Sequence, residues 1–121
     1  MDDLKIITRA LKAVSDENRL RIIGLLDSRA EICVCEITAI IGLSQPTISS
    51  HLKLLEGAGF IEHKKVGLWV NYSVSRDMDP DIGAILDTVL QAARKSKTVK
   101  DDIKKLSSVD RDSLCSRNKT A

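Results

Sequence analysis

Two groups of side chains in this chain of 121 residues have types and spacing suited to chemistry. The first is Cys33-Val34-Cys35, which follows Glu31 and opens a helical pattern. Thiolate sulfur is a soft donor that favours thiophilic metals and metalloids, and a helix N-terminus lowers a thiol pKa toward that form. Two residues apart on an ideal helix, side chains point about 200° apart, so the pair cannot chelate one ion from inside a regular helix. Either the pair lies in an irregular segment before the helix, or binding an ion unwinds the first helical turn. Cys115 is a third sulfur, set in a polar tail with no local partner. An odd number of cysteines argues against a disulfide framework. A structural zinc site is not expected either, since it needs four ligands and only His51 and His63 could join the cysteines.

The second group runs from Ser44 to Lys53. Ser44, Gln45, Thr47, Ser49, Ser50 and His51 are hydrogen-bonding side chains of the kind that read base edges. They lie near the face opposite Ile48, Leu52 and Leu55. Lys53, with Lys64 and Lys65 further on, can neutralise phosphates. His51 sits beside Leu52 and is equally suited to tucking under the helix.

The elements that must position these groups follow from apolar periodicity. Leu4, Ile7, Leu11 and Val14 recur at helical spacing, which predicts a first amphipathic helix. Ser15 is placed to cap a second helix, Asp16 to Ser28, whose Leu20, Ile22, Ile23, Leu25 and Leu26 are apolar on more than one face, as in a buried helix. A third, from Val34 to Ile41, stops at Gly42. Ser44 then caps a fourth, with Pro46 in its first turn and its end at Gly57 or Gly59. Two short helices joined by a tight glycine-containing turn make a helix-turn-helix.

From Phe60 the period becomes two. A run from Phe60 to Lys64, a loop at Lys65-Val66-Gly67 and a strand carrying Leu68, Val70, Tyr72 and Val74 predict a β-hairpin. Asp79-Pro80 opens a further helix with Ile82, Ile85, Leu86, Val89 and Leu90 on one stripe. The predicted fold is therefore mainly α with a small β-hairpin, a winged helix-turn-helix in the order α-α-α-α-β-β-α. Residues 1–93 are expected to form this domain, suited to DNA binding and dimerisation, and residues 94–121 a basic polar tail, partly helical or disordered. A weak amphipathic piece there carries Val99, Ile103 and Leu106.

Apolar residues are 43% of the chain and charged residues 30%, a globular balance, and the only aromatics are Phe60, Trp69 and Tyr72. Aliphatic side chains must therefore build the core, which favours packed helices. No apolar run approaches the roughly 18 residues of a membrane span, and Asp2-Asp3 at the start does not read as an export signal. A cytoplasmic protein with no membrane partner is expected. The net charge of +2 conceals −3 over residues 1–93 and +5 over residues 94–121. Global charge does not mark a nucleic-acid binder, so a local basic patch must do that work.

Three segments, Glu31-Ile-Cys-Val-Cys-Glu-Ile37, Leu43-Ser-Gln-Pro-Thr-Ile-Ser-Ser-His-Leu-Lys-Leu-Leu55 and Lys65-Val-Gly-Leu-Trp-Val-Asn-Tyr72, together resemble the ArsR/SmtB family of winged-helix metalloregulatory repressors, in its arsenic-responsive branch. The likeness covers about residues 4–93 in order. It implies an apo homodimer on an inverted-repeat stretch of double-stranded operator DNA, with no cofactor needed for DNA binding and with As(III) or Sb(III) as the inducer that releases it. By position, Cys33 and Cys35 correspond to the inducer-binding thiolates. The arsenic pattern often has a third cysteine one helical turn on, where this chain has Thr38, so Cys115 or a small external thiol is left to complete the shell. On this reading, drawing both sulfurs onto one ion distorts the first turn of the third helix and misplaces the recognition helix. Leu4, Ile7, Leu11, Ile82, Ile85, Leu86 and Val89 are assigned to the twofold interface.

Other readings keep the fold and change the signal: a redox-responsive repressor, or one responding to cadmium or lead. The cadmium and lead sensors carry extra cysteines in a longer N-terminal arm, whereas residues 1–32 here contain none. The last helix has Asp81 and Asp87 but no histidine, unlike the zinc sensors. A thiol enzyme is the weaker class, because no base or cofactor fingerprint accompanies the cysteines.

Overall fold

Helix α2 (Glu17–Asp27) is the element around which the others pack: Ile22, Ile23, Leu25 and Leu26 are at most 1% exposed. The computed structural model describes residues 3–109. In chain order α2 is preceded by α1 (Asp3–Ala13) and followed by β1 (Ile32–Cys33), α3 (Val34–Ile41), α4 (Gln45–Gly57), β2 (Ile61–Val66), β3 (Trp69–Val74), α5 (Pro80–Lys95) and α6 (Lys97–Ser108). One hydrophobic core joins Ala10 and Ala13 of α1, α2, Ile37, Ile40 and Ile41 of α3, Ile48, Leu52 and Leu55 of α4, Phe60 and Ile61, and Ile82, Leu86 and Leu90 of α5. No helix among the described residues is long and apolar enough to cross a membrane.

The helix-turn-helix forms as its residues dictate. Gly42, at φ 82°, ends α3 in the left-handed conformation that L side chains avoid, and its N–H bonds the Thr38 carbonyl. Ser44 caps α4 by accepting from the Thr47 N–H, and Pro46 occupies the first turn. The cap of α2 is Asp16 rather than Ser15: its carboxylate accepts from the Arg19 N–H at 3.0 Å, while the Ser15 hydroxyl turns back to the Lys12 carbonyl. That hydrogen bond, against the opposing effect of burial and with help from the Arg19 charge, holds the Asp16 carboxyl below its ordinary range.

The sheet has three antiparallel strands in the order β1-β3-β2, one more than the hairpin expected. Strand β1 pairs Ile32 with Tyr72 and Cys33 with Asn71. The wing turns at Gly67-Leu68, with Gly67 at φ 63°, so Val66 belongs to β2 and pairs with Trp69 instead of lying in the loop.

The stretch after residue 93 is structured further than its polarity suggests. Helix α5 continues to Lys95, and Ser96 ends it and caps α6. Val99 and Leu106 of α6 are 3% exposed. A Cβ on Gly24 would stand 2.7 Å from a Val99 methyl, so α2 and α6 approach closely only because position 24 carries no side chain. Asp102, 1% exposed, takes two hydrogen bonds from Arg21, Nε to Oδ2 at 2.9 Å and Nη2 to Oδ1 at 3.0 Å. The same pairing raises the Arg21 pKa.

The interface assignment needs correction at two positions. Ile82 and Leu86 are 3% and 4% exposed within the protomer's own core, because α5 lays that part of its stripe on α2. Leu4 and Leu11 are exposed, and Ile7, Ile85 and Val89 are half-buried.

Removing one member of the Arg21–Asp102 pair tests its place in the fold. Arg21→Met leaves a buried carboxylate alone and should cost about 3 kcal/mol in urea unfolding, whereas Asp102→Asn leaves the partly exposed guanidinium and should cost about half as much.

Candidate DNA-binding and thiol sites

The thiol pair sits at the junction of β1 and α3. Cys33 has extended backbone, φ −72° and ψ 146°, because it ends the strand and caps the helix; Cys35 is in the first helical turn. The 200° divergence of a regular helix therefore does not apply, and the two Sγ atoms converge to 2.6 Å. Of the two alternatives the sequence left open, the pair lies partly outside the helix, and bringing the sulfurs together requires no unwinding of α3. The distortion expected of the first turn is not needed for convergence.

A buried carboxylate holds this junction. Glu36, 2% exposed, accepts from the Cys33 N–H at 2.9 Å through Oε1 and from the Arg29 guanidinium at 3.1 Å through Oε2. This is the Glu-to-cap half of a capping box, in which an acidic side chain three residues into the helix satisfies the N–H of the cap. Cys33 and Cys35 are 3% and 7% exposed, and Trp69 of the wing packs against the cluster they form. One turn on, the Thr38 hydroxyl donates to the Val34 carbonyl at 2.8 Å.

Against the expectation drawn from the odd cysteine count, Cys35 is disulfide-bonded, so the converging pair offers two soft donors to a thiophilic ion once that bond is reduced. Among the described residues no cluster of three or more His, Cys, Asp or Glu could hold a metal ion. Cys115 lies outside the described residues.

Helix α4 presents the polar set as its periodicity predicts. Ser44, Gln45, Thr47, Ser50 and Lys53 are exposed, Ser49 is half-buried, and Ile48, Leu52 and Leu55 face the core. Two hydroxyls are engaged locally: Ser44 Oγ lies 2.9 Å from Thr47 Oγ1, and Ser50 donates to the Pro46 carbonyl at 3.1 Å. His51 is half-buried, and its Nδ1 accepts from Arg19 Nη1 at 3.1 Å, leaving Nε2–H for a further partner. The same Arg19 donates to the carbonyls of Ala13 and Lys12, so one guanidinium ties the end of α1 to the recognition helix.

The basic groups are arranged differently from their sequence order. On the wing, Lys65 is exposed, while Lys64 forms an ion pair with Glu31 at 2.8 Å. Sequence reading passed over Arg9, Lys12 and Arg19, which line a cavity of about 210 Å³ together with Ala13, Lys53 and Leu54. Arg9 reaches that place because its guanidinium lies where a Cβ on Gly57 would be, 2.7 Å away. For Arg9 and Lys12 the signal was their position away from the α1 apolar stripe, legible only once α1 is known to pack on α4; Arg19, in α2, gave none.

A model of bacterial regulatory proteins of the arsR family matches residues 16–63. The arsenic resistance transcriptional regulator ArsR2 of Pseudomonas putida is 35% identical over 108 residues, 86% of this chain and 92% of that protein. An arsenical resistance operon repressor of Escherichia coli is 40% identical over 76 residues, 63% of this chain and 65% of that protein. Among solved structures, the homodimeric winged helix-turn-helix DNA-binding domain of a possible ArsR-family regulator from Mycobacterium bovis superposes with a TM-score of 0.62 at 25% identity, covering 78% of this chain and 89% of that one.

The junction itself can be tested by substitution. Glu36→Ala should cost about 2 kcal/mol in chemical unfolding because it orphans the Cys33 N–H, and Glu36→Gln, which keeps an acceptor, should cost clearly less.

Proposed function

Because the chain belongs to the ArsR family of bacterial regulatory proteins, we propose that it is a transcriptional repressor released from operator DNA when As(III) or Sb(III) binds Cys33 and Cys35. The observation that carries this reading is the convergence of two buried sulfurs at 2.6 Å on the first residues of the helix-turn-helix. The similarity to arsenical resistance regulators lends it support.

The repressor acts in the cytoplasm as a homodimer, as the Mycobacterium bovis domain is. Leu4, Ile7 and Leu11 of α1, with Ile85 and Val89 of α5, supply the apolar surface for it, since the protomer leaves them exposed or half-buried. A twofold dimer sets two α4 helices about one DNA turn apart, which calls for an inverted-repeat operator. Gln45, Thr47 and Ser49 read bases from the first turns of α4, with Ser44, Ser50 and the Nε2–H of His51 beside them. Lys53, Lys65 and the Arg9–Lys12–Arg19 cluster hold the backbone, and Lys64 joins them where Glu31 releases it.

Inducer and operator communicate over a short path. Cys33 belongs at once to β1, which pairs with wing strand β3, and to the cap of α3, which leads through the Gly42 turn into α4. An ion seated between the sulfurs therefore pushes on the wing through Trp69 and on the helix-turn-helix through α3. A coupling of roughly 1 to 3 kcal/mol, or about 5- to 150-fold in affinity, suffices for release.

The test is fluorescence anisotropy of a labelled fragment of the protein's own promoter with reduced protein. Arsenite should release the DNA from wild type and not from the Cys33→Ser, Cys35→Ser variant, while zinc leaves both bound. Release by an oxidant with no response to arsenite would overturn the inducer, and no DNA binding would overturn the repressor.

A further inference from the structure

The strand register lines up three side chains across the sheet. Asn71 of β3 pairs with Cys33 of β1 on one side and with Lys64 of β2 on the other, so all three leave the same face. Glu31, immediately ahead of β1, meets this row: its Oε1 lies 2.8 Å from Lys64 Nζ. The wing lysine is thereby drawn across β3 toward the start of β1. The two side chains are 62% and 38% exposed, Lys64 and Glu31 in that order, so the pair is a surface one. Such a pair is worth at most about fivefold in population and exchanges partners readily.

The carboxylate does not depend on Lys64 alone. The Glu31 carboxyl is held below its ordinary range, first by its hydrogen bond from Lys64, against burial, and then by the Lys64 and Arg76 charges and the Asn71 amide. Only the amide NH2 can donate to a carboxylate, so Nδ2 faces Glu31 and Oδ1 is the end left over. That oxygen is buried with no hydrogen-bond partner, the only such side-chain atom among the described residues. A buried carbonyl oxygen without a donor is costly, and the amide keeps this orientation because its donor end is engaged at Glu31. Arg76 lines one cavity of about 220 Å³ with Glu31 and Lys64. When Lys64 leaves, Glu31 therefore retains a cation and an amide donor beside it.

We propose that Glu31 competes with the operator phosphates for Lys64, so that each wing grips DNA through this lysine only as the Glu31–Lys64 pair opens. This rests on the repressor reading above. A lysine on a phosphate releases a condensed counterion, which the pair with Glu31 does not. Opening the pair uncovers a carboxylate that gathers a counterion of its own, and this offsets part of the release. Glu31 is thus a positioning residue: it acts on DNA through Lys64 and keeps the wing's hold weaker than its lysines allow. A wing restrained in this way leaves the operator complex within reach of the modest coupling that release requires.

Operator binding by full-length reduced protein, read by fluorescence anisotropy over a range of salt concentrations, separates the two actions open to Glu31. The variants are Glu31→Gln, Lys64→Gln and the two together; Glu31 is half-buried and Lys64 exposed, so neither change disturbs the core. Glu31→Gln should bind about three- to twentyfold more tightly at low salt, the two wings of a dimer adding. Its slope of log affinity against log salt should steepen by about 1 to 2, since each freed lysine contributes up to about 0.9. Adding Lys64→Gln should abolish that gain, so that Lys64→Gln weakens binding more in the Glu31→Gln background than in wild type. A gain of the same size with and without Lys64 would mean that Glu31 acts by its own repulsion of DNA, and it overturns the inference. So does a Glu31→Gln variant with the affinity and slope of wild type. Absence of operator binding in wild type overturns the repressor reading, and this inference with it.

Discussion

The position of one backbone amide governs the thiol site. The Cys33 N–H is held by the buried carboxylate of Glu36, and that bond keeps residue 33 at the end of a strand and outside the helix it begins. Had α3 started one residue earlier, the two sulfurs would diverge by about 200° and no single ion could reach both. Arg29 donates to the other carboxylate oxygen and holds it in place, so a residue in the α2–β1 connection contributes to a site it does not touch.

The surrounding structure supplies the rigidity that this arrangement needs. Helix α3 is packed on α2, α4 and α6, and its C-terminal glycine fixes the angle at which the recognition helix leaves. Arg19 fastens α4 to the end of α1, which couples the recognition helix to the element offered here as part of the dimer surface. Trp69 and Asn71 bring the wing onto the opposite side of the thiol pair. The sulfurs thus stand where two DNA-facing elements meet, and a displacement of a few tenths of an ångström there has no soft element to absorb it.

Much of this was legible in the residues. The turn between α3 and α4 announced itself through Gly42, Ser44 and Pro46, each required by a local backbone need, and the helix register followed from Ile48, Leu52 and Leu55. Strand β1 was not legible, because two residues show no alternation and its pairing depends on β3, some forty residues away. Helix α6 showed only three apolar positions among many charges; its anchor is Asp102, a residue whose type reads as surface until Arg21 is seen opposite it. Ile82 and Leu86 share a stripe with Val89, and periodicity alone does not divide a stripe between a protomer's own core and a partner. The sulfurs were found by spacing, while their convergence rests on the cap geometry of a single residue.

The claim that the reduced thiol pair takes an ion without unwinding α3 is tested most directly by amide hydrogen exchange of reduced protein across residues 34–41 and 69–74, with and without saturating arsenite. The account predicts that protection in α3 is kept or increased and that the change concentrates in β3 around Trp69. Loss of protection through the first turn of α3 on binding would contradict it.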